Sequence, residues 1–83
     1  MEKYNISFTV IGLNNEQYQL NKCRIDYKKR IIYTKDLAQY IQCGYKLSRK
    51  YTHYDEEFYL VTKVSQKPSL TGTIAIYIMR LDL

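Results

Sequence analysis

The amino-acid sequence predicts an α+β domain, a mostly antiparallel sheet of four to five strands with one central helix. Apolar and polar residues alternate along most of the 83-residue chain, which is the pattern of half-buried strands. Only residues 33–54 combine a helix-start signal with apolar residues at helical spacing. The expected order of elements is therefore β-β-β-α-β-β, in a single domain that spans residues 1–83.

The chain is expected to begin with a β-hairpin. Residues 4–13 alternate between the two faces of a strand, and Tyr, Ile, Phe and Val occupy one of them. Residues 14–16 have the composition of a turn, and residues 17–21 return as the second strand. Residues 4–13 are also predicted to be an exposed edge strand, through which a second copy of the chain could pair to form a homodimer.

A break in the alternation follows the hairpin. Leu20 lies on the apolar face at an even number, whereas Cys23, Ile25 and Tyr27 continue that face on odd numbers. A shift of one residue turns every side chain to the other face of a strand. The pattern therefore predicts a bulge or break near residues 21–22.

The central helix is predicted to span residues 34–41, after a charged turn at 28–30 and a short strand at 31–33. The Thr34 hydroxyl can accept a hydrogen bond from a backbone N–H of the first turn. Asp36 then lies where the helix dipole favours negative charge. Apolar residues recur at the spacing of a buried helix face, at Leu37, Tyr40 and Ile41.

Gly44 leaves the path of the next residues open. Glycine is unfavourable inside a helix and is favoured just after a helix ends. The alternatives are one long helix, a short helix followed by a strand, or two helices with a turn at Gly44. In the last case a short second helical turn follows Gly44.

The last third of the chain predicts two more strands. Residues 55–57 are an acidic turn, residues 58–64 a strand and residues 65–72 a loop with the only proline. Residues 73–81 form the most hydrophobic strand and are apolar on both faces. This strand is expected to lie centrally in its sheet or to be covered on both sides.

Positive charge is concentrated in the middle of the chain. The net charge is +5, and residues 22–50 contain nine basic residues and two acidic ones. Such a segment favours an acidic partner, either a nucleic-acid backbone or an acidic protein surface. The predicted binding residues are Lys22, Arg24, Lys28, Lys29, Arg30, Tyr45, Lys46, Arg49 and Lys50.

The ten tyrosines, with no tryptophan, suggest a second way to bind nucleic acid. Tyr27, Tyr33, Tyr45 or Tyr51 could stack on bases while lysines and arginines contact phosphates, provided that the rings are exposed on a sheet face. A core position is favoured for Tyr33 and Tyr40. Tyrosine also suits half-buried positions, because its ring packs while its hydroxyl stays in water.

Residues 36–40 followed by 43–49 resemble a helix-turn-helix of the kind found in bacterial repressors and phage regulators. The resemblance implies two helices joined by a tight turn, with Lys46, Ser48 and Arg49 facing the major groove of DNA.

This sequence departs from the helix-turn-helix pattern at three points. Gln42 stands where the turn glycine is usual, and Ser48 stands where an aliphatic residue packs. The helix that normally precedes the motif is replaced by predicted strands over residues 4–33.

Residue types needed for catalysis or metal binding are scarce. Cys23 and Cys43 are twenty residues apart without a CxxC pair, and His53 is the single histidine. Residues 53–57, HYDEE, have no second histidine or nucleophile motif beside them. We therefore expect no enzyme activity, no cofactor and no metal. Two reduced thiols are expected in a cytosolic protein, and a Cys23–Cys43 disulfide is the alternative for a secreted one. No apolar run suggests a signal peptide or a membrane span, so a cytoplasmic protein is expected.

The sequence thus predicts a small, non-catalytic binding protein in the style of phage and mobile-element proteins. Its basic segment would engage nucleic acid, as a regulator does. The alternative is a stoichiometric inhibitor that covers a host protein, a nucleoprotein complex or a defence system, in the manner of anti-CRISPR proteins.

Overall fold

A computed structural model describes residues 4–36, 41–50, 55–65 and 72–81. Every regular element in these residues is a strand, so the predicted α+β class with a central helix is wrong. The strands are β1 (Ile6–Ile11), β2 (Gln17–Asp26), β3 (Ile31–Thr34), β4 (Lys46–Lys50), β5 (Glu56–Val64) and β6 (Ile74–Arg80).

The six strands form a closed antiparallel barrel in the order β1-β2-β3-β6-β5-β4. Hairpins join β1 to β2 and β2 to β3, and β4 returns beside β1, which is the Greek-key arrangement. The barrel closes because β1 also pairs with β4 over Thr9, Val10 and Ile11. Each of these three residues pairs with β2 on one side and with β4 on the other. They therefore offer no free strand edge to a second copy of the chain.

The core fills the interior of the barrel with alternate side chains from all six strands. The rings of Phe8 and Tyr59 meet edge to face, with centroids 6.2 Å apart and planes at 76°. The most deeply buried side chains are Phe8, Val10, Leu20, Cys23, Ile32, Thr34, Leu47, Val61 and Ile76.

The predicted bulge in β2 is confirmed. Ile6 of β1 pairs with Cys23, and Phe8 pairs with Leu20, so β2 contains one residue more than β1 between these pairs. Lys22 adopts a φ of 55° at this point, the left-handed conformation that lets the strand shift register. The inward face therefore changes from even to odd numbers, as the apolar pattern indicated.

Thr34 and Asp36, which predicted a helix start, instead form hydrogen bonds with the backbone of the bulge in β2. The Thr34 hydroxyl donates to the Asn21 carbonyl at 3.1 Å and accepts from the Asp36 amide at 3.0 Å. The Asp36 carboxylate accepts from the Asn21 amide at 3.0 Å, and the Lys35 amide donates to the Lys22 carbonyl at 3.0 Å. Threonine and aspartate bond to nearby backbone in turns as well as in helix caps, so their presence alone did not identify a helix.

The open question after Gly44 is decided in favour of a strand. Gly44 has a φ of 97°, and its amide donates to the Val61 carbonyl at 2.8 Å. The Lys46–Lys50 strand β4 follows, so these residues do not form the second helix that the helix-turn-helix resemblance implied. Of the residues predicted for the first helix, 37–40 lie outside the described residues.

The last two strands correct one expectation and decide between the two alternatives of another. β5 begins at Glu56, within the predicted acidic turn. In β6, Ile74, Ile76 and Ile78 are buried, but Tyr77 and Met79 between and after them are exposed. Of the two alternatives expected for β6, the central position is the one observed, because β6 pairs with β3 on one side and with β5 on the other. The strand is covered on one face only, because a single-layer barrel has only one interior.

Candidate nucleic-acid interface

Four neighbouring strands of the barrel, β2, β3, β6 and β5, together with Tyr4 before β1 and Lys35 after β3, present basic and aromatic side chains on one outer surface. We call this surface the tyrosine face. It comprises Tyr4, Arg24, Tyr33, Lys35, Lys63 and Tyr77.

The alternation of each strand explains why these residues point outward. Cys23, Ile32 and Ile76 face the core and are buried, so their neighbours Arg24, Tyr33 and Tyr77 face the solvent side. Arg24 and Tyr33 are half-buried, and Tyr77 is 37% exposed. The outer surface therefore carries tyrosine rings that are partly exposed to solvent and partly packed against the barrel.

A stack of alternating cations and rings occupies the β2–β3 side of the tyrosine face. The guanidinium carbon of Arg24 lies 4.4 Å from the ring centre of Tyr33 and 5.7 Å from that of Tyr4. The Lys35 ammonium lies 4.5 Å from the ring centre of Tyr4. Each distance is within the range of a cation–π interaction, so the four side chains hold one another in place.

A second cation–ring pair lies on the β5–β6 side. Lys63 pairs with Tyr77 across the ladder, and its ammonium lies 5.5 Å from the Tyr77 ring centre. On β3 and β6, Tyr33 is opposite Ala75 and Tyr77 is opposite Ile31. Tyr33 and Tyr77 are thus diagonal neighbours, whose Cα atoms are typically about 7–8 Å apart.

The structure divides the nine predicted binding residues into three groups. Lys22 and Arg24 are on β2, and Arg24 belongs to the tyrosine face. Residues 28–30 form the turn between β2 and β3. Tyr45 precedes β4, and Lys46, Arg49 and Lys50 are within it.

β4 lies on the opposite side of the barrel from β3. In the closed order β1-β2-β3-β6-β5-β4, these two strands are three positions apart in a ring of six. The basic segment that is continuous in sequence is therefore not one surface. Arg49 and Lys50 also pair directly with Glu57 and Glu56 of β5, so acidic residues offset the positive charge of β4.

The turn between β2 and β3 is held by an aspartate. The Asp26 carboxylate accepts hydrogen bonds from the amides of Lys28 at 3.0 Å and Lys29 at 3.1 Å. The Lys29 amide, more than any other group, holds the pKa of Asp26 below its usual value. This turn leaves Lys28, Lys29 and Arg30 exposed at one end of the barrel.

Sequence reasoning missed four residues of the tyrosine face: Tyr4, Lys35, Lys63 and Tyr77. Lys63 and Tyr77 are far from the basic segment, and only the pairing of β5 with β6 and of β6 with β3 brings them beside Tyr33. The outward position of Tyr77 was visible in the sequence, because the isoleucines at 74, 76 and 78 occupy the other face. The register shift between Val61 and Lys63 hid the position of Lys63.

The two cysteines differ in environment. Both are free thiols; Cys23 is buried in the core and Cys43 is exposed. Burial raises the pKa of Cys23 to about 11. Among the described residues, no three His, Cys, Asp or Glu side chains are grouped so that they could hold a metal ion. That part of the chain also contains no helix of the length and hydropathy needed to cross a bilayer.

Comparison with known proteins found no matching family model, no matching curated protein and no matching solved structure. The helix-turn-helix resemblance therefore receives no support from known families. The tyrosine face has to be interpreted from its own geometry.

Proposed function

We propose that this protein binds single-stranded nucleic acid on the tyrosine face. The observation that carries the proposal is the pair of diagonal tyrosines, Tyr33 and Tyr77, each with a cation within 6 Å of its ring on the neighbouring strand. Barrels that bind single strands without sequence preference combine these two elements, aromatic rings for stacking and cations for the backbone.

Different residues of the tyrosine face would stack on bases and bind phosphates. The exposed ring of Tyr77 can stack on a base, and stacking suits any sequence because every base has a π-face. Lys35 and Lys63 are exposed at opposite sides of the face, where they can neutralise phosphates of a strand that crosses it. Arg24 contacts the rings of both Tyr4 and Tyr33 and orders them before the nucleic-acid strand binds.

A single strand fits this surface better than a duplex. A base can reach a tyrosine ring only when it is unstacked from its neighbours, as it is in single strands, loops and ends. Reading a duplex usually places a helix or a two-stranded ribbon in the major groove. The described residues contain no helix, and β4, where the helix-turn-helix resemblance implied a recognition helix, is one of the strands of the barrel.

The test is a titration of a labelled oligothymidylate of about 16 nucleotides at low and moderate salt. Tyr77→Leu removes the stacking ring and keeps an apolar outward side chain, so we expect affinity to fall about tenfold. Tyr18→Leu is the matched control, because Tyr18 is 44% exposed on β2 but pairs with Val10 of β1, away from the tyrosine face.

Two results would contradict the proposal. One is an absence of binding at low salt, which would favour the acidic protein surface as the partner. The other is an equal loss of affinity in Tyr77→Leu and Tyr18→Leu, because a general effect of exposed tyrosines does not identify a face.

A further inference from the structure

A groove with a volume of about 410 Å³ lies at one end of the barrel. Ile25 and Ile78 form apolar lining, Tyr59 adds a ring, and Tyr27, Arg30 and Arg80 provide an exposed rim. Small-molecule sites typically have volumes of about 300–1,000 Å³ and combine apolar walls with a few polar groups. The groove therefore has the size and the composition of a ligand site.

The position of the rim follows from the antiparallel order of the strands. β2 ends, β3 begins and β6 ends at the same end of the barrel. Arg80 comes two residues after Ile78 on β6, so it continues an inward-facing row beyond the core. Tyr27 and Arg30 are in the turn between β2 and β3 and line the same groove. One ring and two guanidiniums are thus brought to one opening.

The rim is held in place by backbone contacts. Arg30 adopts a φ of 57°, and its carbonyl accepts a hydrogen bond from the Ile78 amide at 3.0 Å. This bond ties the turn that carries Tyr27 and Arg30 to the strand that carries Arg80. The three side chains therefore project from a shared and ordered edge.

Two carboxylates near this end are engaged by other groups. Glu57 accepts the hydroxyl hydrogen bond of Tyr59, and Asp26 accepts two backbone amides of the turn. Among the described residues, this end of the barrel carries six cations (Lys28, Lys29, Arg30, Arg49, Lys50 and Arg80) and four carboxylates (Asp26, Asp55, Glu56 and Glu57), so its net charge is positive and favours an anion.

We propose that this groove binds a nucleotide, with the base against Tyr27 and the apolar lining and the phosphate between Arg30 and Arg80. Guanidinium groups bind phosphate through paired, charge-assisted hydrogen bonds. The Tyr27 ring is 56% exposed and offers a face for stacking. The nucleotide can be a free mononucleotide or the phosphorylated end of a strand, because both present the same base and phosphate.

This site is separate from the tyrosine face. It uses none of the six residues of that face, and binding of a long strand there does not require an end. Either proposal can therefore fail while the other holds.

The experiment is a titration of the ¹⁵N-labelled full chain with adenosine monophosphate, followed by amide chemical shifts. Arg30→Asn and Arg80→Gln each remove one guanidinium, and asparagine tolerates the left-handed φ of residue 30, so the turn is preserved. Lys46→Gln is the control, because it removes one positive charge from an exposed position on β4 that belongs to neither proposed site. We expect saturable shifts at the groove, an affinity about tenfold lower in each arginine variant, and no change in the control.

Parallel titrations use adenosine, inorganic phosphate and short oligonucleotides with and without a 5′-phosphate. They distinguish a free mononucleotide from the phosphorylated end of a strand as the ligand. Preference for the phosphorylated oligonucleotide over adenosine monophosphate supports a strand end, and the reverse supports a free nucleotide. The proposal is overturned if neither ligand shifts the groove residues, if both arginine variants bind as the unaltered chain does, or if phosphate or adenosine alone binds as tightly as the nucleotide.

Discussion

The guanidinium carbon of Arg24 lies 4.4 Å from the centre of the Tyr33 ring, directly across the ladder between β2 and β3. The ring of Tyr4 also lies near the guanidinium, with its centre 5.7 Å from the guanidinium carbon. This arrangement orders two tyrosines of the proposed binding face. It also contributes to stability, because a cation that is partly shielded by rings is attracted to both of them.

A double-mutant cycle measures this contribution. We expect Arg24→Gln and Tyr33→Leu each to lower the free energy of unfolding and to be coupled by about 0.5–1 kcal/mol in urea denaturation. A cycle between Lys63 and Tyr77 gives the comparison for a more exposed pair, where the coupling should be smaller. Additive effects of Arg24→Gln and Tyr33→Leu would show that the two side chains are adjacent without interacting.

The opposite positions of β3 and β4 allow a matched-charge experiment. The double variant Lys35→Gln/Lys63→Gln and the double variant Lys46→Gln/Lys50→Gln remove the same charge from exposed positions on the tyrosine face and on β4. Two lost phosphate contacts should reduce the slope of log affinity against log salt by about 1.4 for a single strand, in the first variant only.

The measurement is the affinity for a labelled single strand at several salt concentrations. Circular dichroism should show that both double variants keep the strand signal. A larger effect of the β4 pair than of the Lys35/Lys63 pair would move the interface to the other side of the barrel. Equal effects would mean that net charge alone attracts the strand.

The left-handed backbone at Lys22 predicts a stabilising substitution. A residue with a side chain is strained at a φ of 55°, and glycine is not. Lys22→Gly should therefore raise the free energy of unfolding by up to about 1 kcal/mol, or at least leave it unchanged.

Lys28→Gly is the control, because Lys28 is an exposed turn lysine whose φ is not positive. There glycine should lower stability, since it adds freedom to the unfolded chain. Both are measured by chemical denaturation at one pH. If both substitutions destabilise equally, the bulge does not have the conformation described.

The buried thiol of Cys23 predicts a loss of stability at alkaline pH. The pKa of Cys23 is raised from 9.0 to about 11 by burial, so below pH 9 the thiol is neutral in both the folded and the unfolded chain. Between pH 9 and 11 the unfolded chain releases the proton while the folded chain retains it. Stability should therefore fall as the pH rises through this window.

The loss of stability between pH 9 and 11 should be smaller in Cys23→Ala, which has no thiol to ionise at this position. A second measurement is alkylation of the native protein at pH 8, which should label exposed Cys43 and spare Cys23 until denaturant is added. Rapid modification of both thiols in the native protein would contradict the burial of Cys23.

Much of the local structure was readable from the sequence. The first hairpin, the bulge near residues 21–22 and the strand that became β5 follow from alternation and turn composition, which depend on near neighbours. The predicted helix was wrong because Thr34 and Asp36 have the same chemistry in a helix cap and in the turn that binds the Asn21 backbone. Only the position of Asn21 in the fold distinguishes the two.

By itself, the sequence determined which residue types this protein offers to a partner: a positive charge of +5 and ten tyrosines. Tertiary structure alone decided which of them share a surface. Closing the barrel placed Lys46 and Lys50 on the side opposite Tyr33, and brought Lys63 and Tyr77 from distant parts of the chain to its side. The physical reason is that strand pairing is set by burial of the apolar faces in one shared core, so the outer residues take their neighbours from that pairing and not from their order in the chain.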